Sequence, residues 1–203
     1  MFALVDKSDN SITKMLNGNR GITIGENQYP KAIFTLWTES ERNAINIYEV
    51  TIDDSKRKNE EWYVNTNITY SFDGTNATGS YGDATAKAHA DTLFSAQDET
   101  DGLGTEGDVK TRGLKYNLIQ TLKQQVAGEL SKTDWYITRN TEKSTAIPSA
   151  ISTHRDAVRT KQAEMETAIT NASDTPALET LYTYTRQEDG SVTRPLGELP
   201  TLE

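Results

Sequence analysis

The chain has 203 residues, of which 34% are hydrophobic, with no cysteine, two histidines and a formal net charge of −9. Without cysteine there are no disulfides, iron–sulfur clusters, thiol nucleophiles or cysteine-ligated zinc sites, and His89 and His154 alone leave no histidine-rich metal site. The acidic balance argues against nucleic acid or an anionic membrane as partner, and no window reaches the ~18 apolar residues of a membrane span.

Such a length accommodates one large or two small domains, and a mean hydropathy of −0.68 implies a thin core under much polar surface. Met1 to Asn10 lacks the long apolar stretch of a signal peptide, so no targeting segment is expected. Threonine occupies 29 positions, and asparagine is frequent; the first favours extended backbone and the second turns.

In chain order, Ile12 to Leu16 and Ile22 to Ile24 read as short strands separated by the turn cluster Asn17-Gly18-Asn19-Arg20-Gly21. Tyr29-Pro30 introduces the apolar run Ala32 to Trp37, followed by a helical turn at Ser40 to Ala44. Tyr48, Val50 and Ile52 share one face by the two-residue period. The clearest strand pattern is Trp62 to Phe72, with Trp62, Val64, Ile68, Tyr70 and Phe72 on one face. Asp73-Gly74 ends it with a hairpin signal, and Thr75 to Tyr81 returns as its partner.

Asp83 reads as the cap of a helix over Ala84 to Ala96. The acidic, glycine-rich stretch from Gln97 to Asp108 has no apolar periodicity and reads as a linker. Beyond it, Leu114, Leu118, Ile119, Leu122, Val126 and Leu130 form one helical stripe. Pro148 is placed in the first turn of a second helix, on which Ile151, Val158, Met165 and Ile169 make a narrower stripe. The two helices are expected as an antiparallel hairpin joined by a loop of about fifteen residues, too thin to stand alone. A short helix capped by Asp174 or Thr175 runs to Leu181, a small hairpin turns at Asp189-Gly190, and Pro195 to Pro200 lies extended as a strap.

The pattern therefore predicts an α+β chain: a small antiparallel β-sheet in a docking domain over 1–96, an acidic linker over 97–112, and a helical hairpin over 113–203 with a short terminal β-hairpin and extended tail. Chemistry-bearing motifs are sparse. His89-Ala90-Asp91 offers two ligands where zinc needs more, and His154 falls beside an apolar stripe as a packed or rim residue. Lys56-Arg57-Lys58 sits between acidic pairs as a solvated turn. Gly102-Leu103-Gly104 lacks the Lys-Ser/Thr of a phosphate loop, and no pattern brings two carboxylates together as a glycosidase requires. No catalytic residue, cofactor or metal ligand is assigned.

The stretch Leu130-Ser131-Lys132-Thr133-Asp134-Trp135-Tyr136-Ile137-Thr138-Arg139, continuing through Glu142, Ile147-Pro148, Arg155 and Arg159, resembles a helical-hairpin module of tail and tail-fibre-associated proteins of tailed bacteriophages. The resemblance, to marine and cyanophage-like proteins, covers roughly residues 110–200 and includes the closing segment Arg194-Pro195-Leu196-Gly197-Glu198. It implies a non-enzymatic structural component of a virion, made in the bacterial host cytoplasm and built into the tail or fibre apparatus. Its implied partners are other phage tail or fibre subunits, in a homo-oligomer or a symmetric assembly, with neither nucleic acid nor membrane. Relatives of this kind also include tail-fibre assembly chaperones that leave before the particle matures. A third reading is a host-glycan module stacking sugars on Tyr63, Tyr81 and Tyr182.

Trp135, Tyr136, Arg139, Glu142, Arg155 and Arg159 are the candidate interaction residues. Asp134-Trp135 supports two roles: an indole filling a partner's pocket, or a ring closing the hairpin's own core while Asp134 caps a turn. Arg139 can pair with Glu142, and the arginines at 155 and 159 can reach an acidic partner or tie a loop to a helix within the subunit.

Overall fold

The structure is a computed structural model, and it describes residues 1–202. The chain is α+β and divides into two compact units, Met1–Thr85 and Ala86–Glu203.

Unit 1 is built from β1 (Phe2–Asp6), β2 (Ser11–Leu16), β3 (Ile22–Ile24), β4 (Asn27–Tyr29), α1 (Ile33–Leu36), α2 (Glu39–Ala44), β5 (Ile47–Asp53), β6 (Tyr63–Val64), β7 (Thr69–Phe72) and β8 (Ala77–Ser80). A two-residue strand, β9 (Thr85–Ala86), pairs with β6 at its end. The main sheet has the order β2-β1-β5-β8-β7. It is mixed rather than purely antiparallel, because β5 and β8 run parallel, with Val50 opposite Ala77.

Alternation along β1 and β5 sends side chains to both faces. Ala3, Val5, Tyr48 and Val50 join Phe72 and Ala77 in one buried cluster. Phe2 and Ile47 join Leu16, Ile33 and Phe34 in the other. The apolar run 32–37 thus becomes a single helical turn that covers the sheet with Ile33 and Phe34, leaving Leu36 exposed. A capping box between Thr38 and Glu41 starts α2, whose buried Arg42 donates to the Trp37 carbonyl and lies 5.2 Å over the Phe2 ring.

The long strand expected over 62–72 is broken in two. Asn65 uses both ends of its amide on Lys58, accepting from its N–H at 2.9 Å and donating to its carbonyl at 2.8 Å. Those bonds close a loop over 58–65, and the alternation slips by one residue across the gap. Tyr63 is buried in consequence and Val64 is 58% exposed. The hairpin at Asp73-Gly74 forms as expected, with the Asp73 carboxylate accepting from the amides of Thr75 and Asn76 and Gly74 at φ 97°.

Unit 2 contains β10 (Thr92–Leu93), α3 (Ala96–Thr100), β11 (Val109–Thr111), α4 (Leu114–Ser131), α5 (Asp134–Lys143), α6 (Ser149–Asn171), α7 (Thr175–Tyr182), β12 (Thr185–Arg186) and β13 (Val192–Thr193). The helix expected over 84–96 does not form. The carbonyls of Ala88 and His89 instead accept from the amides of Leu114 and Lys115, satisfying two of the open donors at the start of α4. Asp91 completes the seam by accepting from the Gly113 amide at 2.8 Å and from Arg112 at 2.6 Å.

This seam makes Gly113 a demanding position. A Cβ there would lie 2.3 Å from the Ala90 carbonyl group, a backbone that has no rotamer with which to retreat. Gly113→Ala is therefore expected to cost about 2 kcal/mol by overpacking. A urea titration with unchanged m and lowered midpoint checks it; an unshifted midpoint contradicts it.

The stretch read as a linker is ordered structure as well. Ser95 and Asp98 form a capping box on α3, β10 pairs with β11, and the amides of Leu103 and Gly107 bond back to Asp98 and Phe94. The helical pair is α4 against α6, as the two stripes predict: Leu122, Val126, Ile151, Val158, Met165 and Ile169 are all buried. The connection between them is not a plain loop, since ten of its residues form α5. Asp174 caps α7 through the Ala177 amide at 2.8 Å, and β12 and β13 form the terminal hairpin. The strap begins as a turn, with Leu196 buried and its amide donating to the Leu181 carbonyl at 3.0 Å.

Candidate interaction site

Arg155 on α6 reaches the C-terminal end of α4. Its Nη1 donates to the Leu130 carbonyl at 2.7 Å, to Thr133 Oγ1 at 2.7 Å and to Asp134 Oδ1 at 2.8 Å. A cation at the C-terminus of α4 and a carboxylate in the first turn of α5 both suit the helix dipoles. Arg155 and Thr133 are buried, so this node is a structural clasp joining α4, α5 and α6.

The residues after the clasp face the other way. Trp135 is 51% exposed, where Thr133 is 1% exposed. Its ring lies on Tyr136 with centroids 4.0 Å apart and 33° between planes, and the Arg139 guanidinium sits 5.7 Å from it. The indole therefore does not close the hairpin's core. Among the described residues no ion pair joins Arg139 to Glu142, and Arg159 pairs with Asp156 on its own helix at 3.2 Å. Of the six candidate residues, the fold brings Trp135, Tyr136 and Arg139 into contact on α5, with Glu142 further along the same helix without an ion pair to Arg139, turns Arg155 into the clasp, and pairs Arg159 with Asp156.

A second polar node was not identified as a candidate. Glu129 Oε1 lies 3.2 Å from His154 Nε2 with both side chains about nine-tenths buried, and Lys132 bonds the same carboxylate. The signal was spacing: Glu129 continues the buried 122–126 row of α4, and His154 lies between Ile151 and Val158 on α6. The Lys132 hydrogen bond, outweighing the desolvation that opposes it, holds the Glu129 carboxyl below its ordinary value of 4.5. A carboxyl whose pKa is depressed in the folded state stabilises it fully above the unfolded value and loses that contribution as pH falls through the folded one. Unfolding midpoints of the chain and Glu129→Gln are thus expected to converge as pH drops below 4.5; a gap that persists at pH ~2 contradicts this.

Near that node, a pocket of about 580 Å³ is lined by Glu129, Lys132, Met165, Tyr184, Arg194 and Glu198, among others. Its polar groups are already engaged: Tyr184 donates to Glu198 at 2.7 Å, as does Arg194 at 2.9 Å. The glutamate also raises the Tyr184 pKa above 10.0. In unit 1 a pocket of about 520 Å³ is lined by Lys14, Leu16, Arg20, Ile22 and Phe34, among others.

Tyr63 is buried beneath Lys58, whose Nζ is 4.4 Å from its ring, and so offers no face for a sugar. Tyr81 and Tyr182 are each half-buried beside an arginine. Among the described residues no group of three or more histidine, aspartate or glutamate side chains could hold a metal ion, and no helix is long and apolar enough to cross a membrane. Compared with models of known protein families, with curated proteins and with solved structures, the chain matches none.

Proposed function

We propose that this chain is a non-enzymatic structural component of a tailed-phage virion, in the tail or tail-fibre apparatus, and that it acts through contacts with several subunits. The observation that carries the reading is the exposed Trp135–Tyr136–Arg139 face on a helix clasped from below by Arg155. Tryptophan and arginine are the residue types that dominate binding energy at interfaces. A face ordered before contact also loses little conformational entropy when a partner arrives. The resemblance of residues 130–159 to phage tail modules supplies the class of partner.

Mass spectrometry of purified particles from a phage encoding the chain tests the proposal. Stoichiometric presence supports it. Abundance in infected cells with absence from particles overturns it in favour of an assembly chaperone. Trp135→Ala is expected to weaken incorporation by about 2 kcal/mol, roughly thirtyfold, with an unchanged circular dichroism spectrum. Full incorporation of that variant would remove Trp135 from the interface.

A further inference from the structure

The pocket of unit 1 is chemically unlike the rest of this acidic chain. Lys14 and Arg20 line it with no aspartate or glutamate among its walls, although the chain's net charge is −9. Among the described residues neither side chain is held by an acidic partner. Beside the two cations the lining combines Leu16 and Phe34, both buried, and Met15 and Ile22, both half-buried, with the polar Asn17 and Thr23. Such a site suits an apolar side chain carried between carboxylates.

Unit 2 presents that combination. The loop after α3 raises Leu103, 61% exposed, between Asp101 on one side and Glu106 and Asp108 on the other. The loop is not a floppy tail. The Leu103 amide donates to the Asp98 carbonyl at 2.8 Å, and the Gly107 amide to Phe94 at 3.0 Å. Gly104 lies so close to the Phe94 ring that a Cβ would be 2.6 Å from it, and Lys110 bonds Asp98 at 2.6 Å. Lys110 pairs with Asp98, and among the described residues no ion pair engages Asp101, Glu106 or Asp108, all three exposed.

We propose that the 520 Å³ pocket of unit 1 receives the Leu103 loop of a second copy of this chain. Leu103 packs against Leu16, Ile22 and Phe34, and the flanking carboxylates meet Lys14 and Arg20. The two surfaces are different, so one chain can offer its loop to a neighbour while its pocket receives another, either reciprocally in a dimer or head to tail in a ring or filament. Charge complementarity selects the occupant, and the preformed loop lowers the ordering cost of docking. The inference does not depend on the virion reading, since a chaperone with the same surfaces would self-associate equally.

Sedimentation of the full chain over a range of concentrations and salt tests it. Self-association is expected, weakening steeply as salt screens the rim charges. Lys14→Glu/Arg20→Glu and, separately, Asp101→Lys/Glu106→Lys should each lower association at least about tenfold. All four positions are exposed, and circular dichroism verifies that both variants fold. Mixed together, the two variants should assemble again, since each now complements the other and not itself. A wild-type chain that stays monomeric overturns the proposal. So do charge variants that assemble like wild type, or a mixture that fails to recover.

Discussion

Arg155→Met is expected to destabilise unit 2 by about 3 kcal/mol and to accelerate amide exchange along α5 and the last turn of α4. The arginine is buried and bonds three oxygens through one nitrogen. Methionine fills much of the volume but donates nothing, and hydrogen bonds from a charged group contribute about 1.5–3 kcal/mol each at most. The partners do not count equally. The Asp134 side chain is 58% exposed and rehydrates when the guanidinium is gone, so Asp134→Ala should cost about 1 kcal/mol or less. Thr133 and the Leu130 carbonyl lose their charged donor and keep only neutral ones, the Thr133 hydroxyl at 3.0 Å and the Thr133 amide at 3.1 Å on that carbonyl among them. Urea unfolding of the two variants checks the ranking, and an Asp134→Ala loss equal to that of Arg155→Met contradicts it. Because α5 hangs on this clasp, the same substitution should loosen the Trp135 face without touching it.

Ile47→Ala is expected to cost about 3 kcal/mol, within the range for removing a buried branched side chain whose neighbours relax only in part. Ile47 is wholly buried at the start of β5, against Phe2, Leu16, Ile33 and Phe34. These neighbours come from β1, β2 and α1, so the cavity would open where three elements meet and none can collapse alone. In a unit of this size each kcal/mol corresponds to about 4–8 °C in Tm, so thermal melting of unit 1 should fall by more than 10 °C on that scale. Ile52→Ala on the same strand provides the contrast, since Ile52 is 38% exposed and its loss should be a fraction of this. Equal losses at both positions would mean that burial along β5 does not determine its stability.

Particular elements show how far the residues could be read in advance. The stripes of α4 and α6 were legible because a 3.6-residue period over eighteen and twenty-three residues has no competing explanation. The Asp73-Gly74 hairpin and the Asp174 cap were legible because their side chains act on backbone two or three residues away. β1 is not legible in the sequence, although it lies between β2 and β5 in the main sheet, because Phe2 to Asp6 is a short apolar run and β5, one of its two partners, lies far along the chain. The segment 84–96 looks helical locally, yet its carbonyls are taken by α4. α5 went unseen because its apolar residues, Trp135 and Ile137, point to solvent rather than marking a buried face.

The candidate site divides in the same way. The residue types near 130–159 are plain from the amino-acid order, and the absence of cysteine narrows the chemistry at once. That Arg155 turns inward and Trp135 outward, that Glu129 faces His154, and that Lys14 and Arg20 share one pocket emerge from the packing of the folded chain. The reason is range. Periodicity, caps and turns arise from forces acting within a few residues, whereas burial of a charge or exposure of an indole depends on what a distant segment brings to it.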